Sequence, residues 1–312
     1  MKRYFCILLF IVTVPVMAQQ DPVISHYMFN TLTYNPGIAG VSGLISATAI
    51  NRQQWTGLQG APSTTLLNVS SPLPLFNRKS GAGLIIQSDN IGFNKDLNIM
   101  GSYSHHINVG TGKLGIGVSL GMLNKKLVPS WKIPTGGDYF PPSGDPLIPE
   151  NNESYTALDA GMGLFYNTNN YYAALSVTHI NQPKIKHTKA DTYVSRHYYA
   201  TAGYIFQSPN PSFEIIPSFL VFSDGKIMQF SINSLVVYNK KVWGGVSYRQ
   251  NDALTGMIGM ELYNGLKFGY SYDFTLSDIR KSSSGSHEFM INYSFNIDWG
   301  KTPMRYKSIR FL

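Results

Sequence analysis

From residue 43 onward, apolar and polar side chains alternate with period two. In 97–109 the odd positions include Leu97, Ile99, Tyr103, Ile107 and Val109, and the even ones Asn98, Ser102, Ser104, His106 and Asn108. In 266–275 one series is Leu266, Phe268, Tyr270, Tyr272 and Phe274, and the other is Lys267, Gly269, Ser271, Asp273 and Thr275. Residues 287–296 set Phe289, Ile291, Tyr293 and Phe295 against Glu288, Asn292, Ser294 and Asn296, and 227–237 repeats the pattern with Met228, Phe230, Ile232 and Val236. Successive strand side chains point to opposite faces, so each segment reads as a β-strand with one apolar face. Fourteen such segments are predicted, near 43–51, 64–73, 80–88, 96–109, 113–123, 155–166, 170–179, 195–207, 212–223, 226–237, 241–250, 253–263, 266–276 and 286–296. Their usual length, about ten residues, is that of a tilted strand crossing a bilayer.

The connections sort by parity. Even-numbered ones are short and turn-like (PLFNRK, GTG, NTN, SPNP, YNK, NG), while the long ones, 52–63, 124–154, 180–194 and 277–285, are all odd-numbered. Short turns on the periplasmic side and longer loops outside are the habit of outer-membrane barrels. A secreted β-sandwich, the rival all-β reading, has no reason to sort its loops this way. Loop 124–154 is rich in proline and glycine and is expected to be irregular over the barrel mouth. Residues 19–42 precede the first strand and are expected in the lumen or across its periplasmic end. The segment 297–312 is expected to be a basic periplasmic tail.

Composition sharpens this picture. Residues 1–18, MKRYFCILLFIVTVPVMA, have a basic start, an apolar stretch and a small-residue cleavage site, the pattern of a Sec signal peptide. The single cysteine, Cys6, lies within it, which removes disulfides, thiol catalysis and cysteine-ligated zinc from the mature chain. Charged residues are 13% and aromatic residues 13%, with 29 glycines, and no later segment has the roughly 18 apolar residues of a membrane helix. An exported chain of this kind is expected to form an all-β, transmembrane antiparallel barrel of about fourteen strands, spanning 43–296 in the outer membrane. The net charge of +8 is scattered over turns and loops rather than clustered in a stripe, which argues against nucleic acid as a partner. Arg78, Lys79, Lys240 and Lys241 sit in the short turns, where an inner basic rim would meet lipid phosphates or an acidic partner.

The sequence offers four candidate chemistries. Gly117–Gly121 reads GVSLG, the spacing of a serine-hydrolase elbow. An elbow needs a strand, a sharp turn and a helix, whereas Leu114, Ile116, Val118, Leu120 and Met122 alternate straight through, so Ser119 is expected mid-strand and facing inward. A barrel lipase would need a serine near His287, Glu288 or Asp273. His105 and His106 are adjacent on a strand and so point to opposite faces. His179, His187 and His197 flank one connection and would meet only if that loop folded them together. No catalytic residue, cofactor or metal is therefore expected. By alternation Arg249, Glu261, Lys267, Asp273 and Glu288 face the lumen, and because buried charges need partners they are expected to form a cross-linked network. With the small inner face of 113–123, this implies a narrow or plugged barrel.

Several stretches together resemble the PorP/SprF family of the Bacteroidetes type IX secretion system: QQDPVISHYMFNTLTYNPGIAG after the signal, NRQQWTGLQGAPST at 51–64, LDAGMGLFY at 158–166, THINQP at 178–183, RHYYATAGYIF at 196–206, YSYDF at 270–274 and GSHEFMINYSF at 285–295. The resemblance runs in order along nearly the whole mature chain. It implies a non-enzymatic outer-membrane component that anchors periplasmic ring parts of the machine, or a secreted adhesin cargo, for protein export or gliding motility. Arg52, Gln53 and Trp55 of the RQQW stretch, and Lys301, Arg305, Lys307 and Arg310 of the tail, are the candidate partner-binding residues. The alternative is an outer-membrane transport channel for small or hydrophobic solutes.

Overall fold

A computed structural model describes residues 21–73, 79–129, 151–186, 191–262 and 265–296. The first strand, β1 (Ile45–Gln53), is followed by β2 (Ser63–Pro72), β3 (Ser80–Ile91), β4 (Asn94–Val109), β5 (Gly112–Leu127), β6 (Glu153–Asn167) and β7 (Tyr171–Thr178). Next come β8 (His197–Tyr204, continued by Phe206–Gln207), β9 (Phe213–Ser223), β10 (Met228–Tyr238), β11 (Val242–Arg249), β12 (Ala253–Glu261), β13 (Leu266–Thr275) and β14 (Ser286–Phe295). Each pairs antiparallel with its neighbours in sequence, and β1 pairs with β14 from Ile45↔Phe295 to Gln53↔His287. The result is a closed fourteen-strand barrel without a free edge.

The alternation reads directly onto the wall. Along β5, Val118, Leu120 and Met122 are 57%, 65% and 57% exposed, while Ser119 between them is 9% exposed. The outward series forms the lipid face of an outer-membrane barrel. Tyr171, Tyr204, Phe206, Phe213 and Tyr238 project outward near the short-turn end, with Tyr204 and Phe206 packed at 4.4 Å and Phe213 and Tyr238 at 4.9 Å. Aromatic side chains at that level suit the headgroup boundary. Both ends of the barrel sequence lie at this short-turn end, the end that faces the periplasm in outer-membrane barrels.

Several strands, β5 and β6 among them, run further than their apolar periodicity. β5 continues to Leu127 and β6 begins at Glu153, so that Lys125 pairs with Tyr155 and Lys126 with Ser154. All of these added residues but Leu127 are polar, as suits positions above the hydrocarbon, which is why the hydrophobic pattern stops short of them. The β7–β8 connection holds a small hairpin, Lys184–Lys186 against Asp191–Tyr193, whose Ile185 is buried against Leu123 and Val194.

Residues 21–42 fill the lumen. Three 3₁₀ turns, Tyr27–Phe29, Thr31–Thr33 and Pro36–Ile38, carry the chain from the outer mouth down to the start of β1. The hydrophobic core is the contact between this plug and the inner wall: Ile24 packs with Ile50, Leu66, Trp243, Met257 and Met290, and Tyr27 and Tyr34 pack with Tyr199, Leu220 and Phe222. The barrel thus has apolar side chains on both faces, lipid outside and plug inside.

Candidate functional site in the barrel lumen

Two polar clusters hold the outer half of the plug. The first lies where β11, β13, β14 and β1 meet. Arg52 and Glu288 are direct cross-strand partners, and both point inward. Arg52 Nη2 donates to Asp273 Oδ2 at 2.6 Å, and its Nη1 donates to Glu288 Oε2 at 3.1 Å and to Ser25 Oγ at 2.9 Å. Arg249 reaches Asp252 at 2.8 Å and Asp273 at 3.4 Å. Glu288 accepts the backbone N–H groups of Ser25 and His26, each at 2.8 Å, and its Oε1 lies 2.7 Å from His26 Nδ1. Asp273 further accepts Ser25 Oγ at 2.9 Å and Thr255 Oγ1 at 2.8 Å. All of these side chains except Asp252 are buried. Charges withdrawn from water this completely are tolerable only when paired and saturated with hydrogen bonds.

The second cluster lies at the outer mouth between β6, β7 and β8. His179 follows β7 with a left-handed backbone, φ 53°, a region where histidine is more common than most residues. Its Nε2 is 3.1 Å from Asp21 Oδ1 of the plug, and its Nδ1 is 2.7 Å from Asp159 Oδ2, off the line of an ideal hydrogen bond. His197, at the start of β8, places Nδ1 3.3 Å from Asp21 Oδ2, and Tyr199 donates its hydroxyl to the same oxygen at 2.8 Å. Burial pulls His179 toward its neutral form, but Asp21 and Asp159 outweigh it and raise its pKa to about 10. Burial likewise opposes the Asp21 charge, yet His179 and His197 hold its carboxyl well below the usual carboxylate range.

The residues singled out from sequence divide as follows. Arg249, Asp273 and Glu288 belong to the first cluster. Glu261 and Lys267 also face inward, but they form a separate, partly exposed pair at 3.3 Å near the periplasmic rim. Arg52, expected on an outer loop for a partner, instead points into the lumen at 1% exposure. The reason is register: β1 runs to Gln53, three residues beyond its last clearly apolar position, Ile50, so Arg52 shares the inward face of Thr48 and Ile50. Gln53 alone of the three is exposed, donating to Ser63 Oγ at 2.9 Å, while Trp55 is half-buried and donates its backbone N–H to Ser286 Oγ at 3.0 Å. Lys301, Arg305, Lys307 and Arg310 lie outside the described residues, as do Arg78 and His187. Ser25, His26, Asp21 and Asp159 were not anticipated, because no local pattern marks which wall a plug residue will meet.

Ser119 lies mid-strand, opposite Ser102 and Gly161, with strand on both sides rather than an elbow. His287 bonds Tyr270 and is not placed with a serine, and Ser25 is buried among charges with its hydroxyl engaged. His105 and His106 diverge, and His106 Nε2 meets the plug at Ala39 O, 2.9 Å away.

The sequence matches, over residues 16–293, the family described as type IX secretion system membrane protein PorP/SprF. The chain belongs to the PorP/SprF family. It is accordingly a type IX secretion system component of the outer membrane. No curated protein matches it. Among solved structures, the toluene transporter TbuX of Ralstonia pickettii is similar at 13% identity and a TM-score of 0.49, over 86% of this chain and 93% of that one. Omp33 of Acinetobacter baumannii gives 7% and 0.46, over 81% and 99%. A FadL homologue of Pseudomonas aeruginosa gives 11% and 0.44, over 82% and 89%. Likenesses this distant say nothing of the family member's task, and the architecture rests on its own closed strand pairing.

Proposed function

We propose that the protein is a non-enzymatic adaptor, a plugged barrel that anchors periplasmic parts of the secretion machine or a secreted surface cargo, for export or gliding. The observation that carries this reading is the plug. Residues 21–42 occupy the lumen and are tied to the wall by buried hydrogen bonds from Ser25 and His26 to Glu288 and by the Asp21–His179 pair, and the two cavities beside Asp21 hold only about 60 and 180 Å³. A solute channel needs a continuous path, whereas an adaptor needs a rigid body with binding surfaces at its rims. The periplasmic rim offers Lys79, Lys240 and Lys241, and Lys301, Arg305, Lys307 and Arg310 follow the last strand in sequence.

Two measurements test the proposal. Purified protein in planar bilayers should give no steady single-channel conductance, and a stable conductance would favour the transport channel for small or hydrophobic solutes. Deleting 301–312 should leave the barrel assembled and reduce capture of cross-linked periplasmic partners several-fold. Unchanged capture would overturn the role given to the tail.

A further inference from the structure

The cluster at the outer mouth has a composition that ion pairing alone explains poorly. Asp159 is 1% exposed, and Asp21 is its neighbour across His179. Asp21 and Asp159 bracket His179, and His197 packs edge-on to it with ring centroids 5.6 Å apart, so two carboxylates and two imidazoles, the donor types of a divalent-ion site, converge on one small volume. His197 points the same way. It is 1% exposed, its Nδ1 has only the contact with Asp21 Oδ2 at 3.3 Å, which lacks hydrogen-bond geometry, and its Nε2 has no hydrogen-bond partner among the described residues, although burial should leave an imidazole satisfied.

The donor geometry fits an ion. Donor atoms of Asp21, His179 and His197 lie within 4.8 Å of one another. Tetrahedral zinc with Zn–N of about 2.0–2.1 Å spaces its ligands roughly 3.4 Å apart, so small side-chain movements close the set. Asp159 beside His179 Nδ1 leaves Nε2 facing Asp21, the arrangement in which a carboxylate orients a ligating histidine. Two imidazoles and a carboxylate suit a first-row transition ion better than calcium or magnesium, which prefer all-oxygen shells. The cavity of about 180 Å³ bordered by these residues also reaches Asp89 and Asp96, and leaves room for a water at the fourth position.

We propose that Asp21, His179 and His197 bind a divalent first-row transition ion of the zinc kind, with Asp159 orienting His179, and that the ion staples the outer end of the plug to the barrel wall. Asp21 is the sole plug ligand, while His179 and His197 come from the two sides of the β7–β8 connection. Occupancy therefore couples the plug to the outer loops, a role independent of what the periplasmic rim binds.

The test uses full-length mature protein without a polyhistidine tag, assembled in detergent, stripped with chelator and titrated with Zn²⁺ alone by calorimetry. The expected result is one Zn²⁺ per chain at micromolar or tighter affinity, unaffected by millimolar Ca²⁺, together with a raised melting temperature. His197→Ala and Asp21→Asn should each weaken binding at least tenfold and abolish the melting shift, whereas His105→Ala on the outer face should change neither. If the variants assemble poorly, X-ray absorption on the unsubstituted protein decides: two imidazole nitrogens near 2.0–2.1 Å are expected. Absence of binding at 100 μM Zn²⁺, binding indifferent to His197→Ala, or an all-oxygen shell would each overturn the proposal.

Discussion

The two halves of the plug are held by opposite means. Near the outer mouth, Ser25 and His26 are gripped by charge: Glu288 accepts three bonds from them, and Arg52 and Arg249 bind Ser25 Oγ. Near the periplasmic end, Asn35–Gly40 is held by shape. There the wall is lined by Gly81, Gly115, Gly117 and Gly163, and the plug backbone lies against it so closely that a Cβ on any of the four would collide with it or with Asn35. Gly37 returns the fit, since its own Cβ would come within 2.9 Å of Gly115 O and Phe165 N. Gly40 is additionally held at φ 70°, against Gly81. Hydrogen bonds are neutral in this half: Ser104 Oγ donates to Gly37 O at 2.8 Å, and Asn35 Nδ2 donates to Leu164 O at 3.0 Å. The difference is instructive. Charge pairs are individually strong and orient two residues, whereas glycine packing is weak per contact and excludes every bulkier wall.

Substitutions in each half should break the comparison in different ways. Arg52→Ala carries the largest expected effect, because it leaves Asp273 and Glu288 buried with too little positive charge, a loss of about 3–5 kcal/mol. Denaturant unfolding from lipid vesicles would measure it, and a loss below 1 kcal/mol would show that the network is dispensable. Gly117→Val should cost about 1–3 kcal/mol by overpacking, with a different signature. The barrel should still assemble while the inner half of the plug lifts away, read as faster proteolysis of residues 30–42. Glu261→Gln, at the partly exposed rim pair with Lys267, should cost no more than about 1 kcal/mol. A larger loss by the same unfolding measurement would mean that the rim pair is coupled to the plug after all.

Much of this architecture was legible in the sequence. Period two located all fourteen strands, and loop lengths sorted the two ends. Lipid-facing positions such as Val118 and Ile291 followed from alternation, which is a local property of the backbone. The GVSLG stretch shows why local pattern is also treacherous. Its glycines, Gly117 and Gly121, match a catalytic spacing, yet Gly117 admits the plug backbone, Gly121 lies against Ile99 and Met100 of β4, and Ser119 merely shares their face. Arg52 is hidden from pattern by two residues of strand length, because a polar strand end above the membrane carries no hydrophobic signal.

The sequence by itself determined that the chain is a membrane barrel with charges turned inward, since alternation, segment length and loop parity are each written in adjacent residues. Only the tertiary structure decided what those charges meet. Ser25 and Glu288 are 263 positions apart, and Asp21 and His179 are 158 apart. Closure of the barrel and the path of the plug through it bring such pairs together. No periodicity encodes that path, because it depends on which parts of the wall are small enough, and which charged enough, to accept residues 21–42.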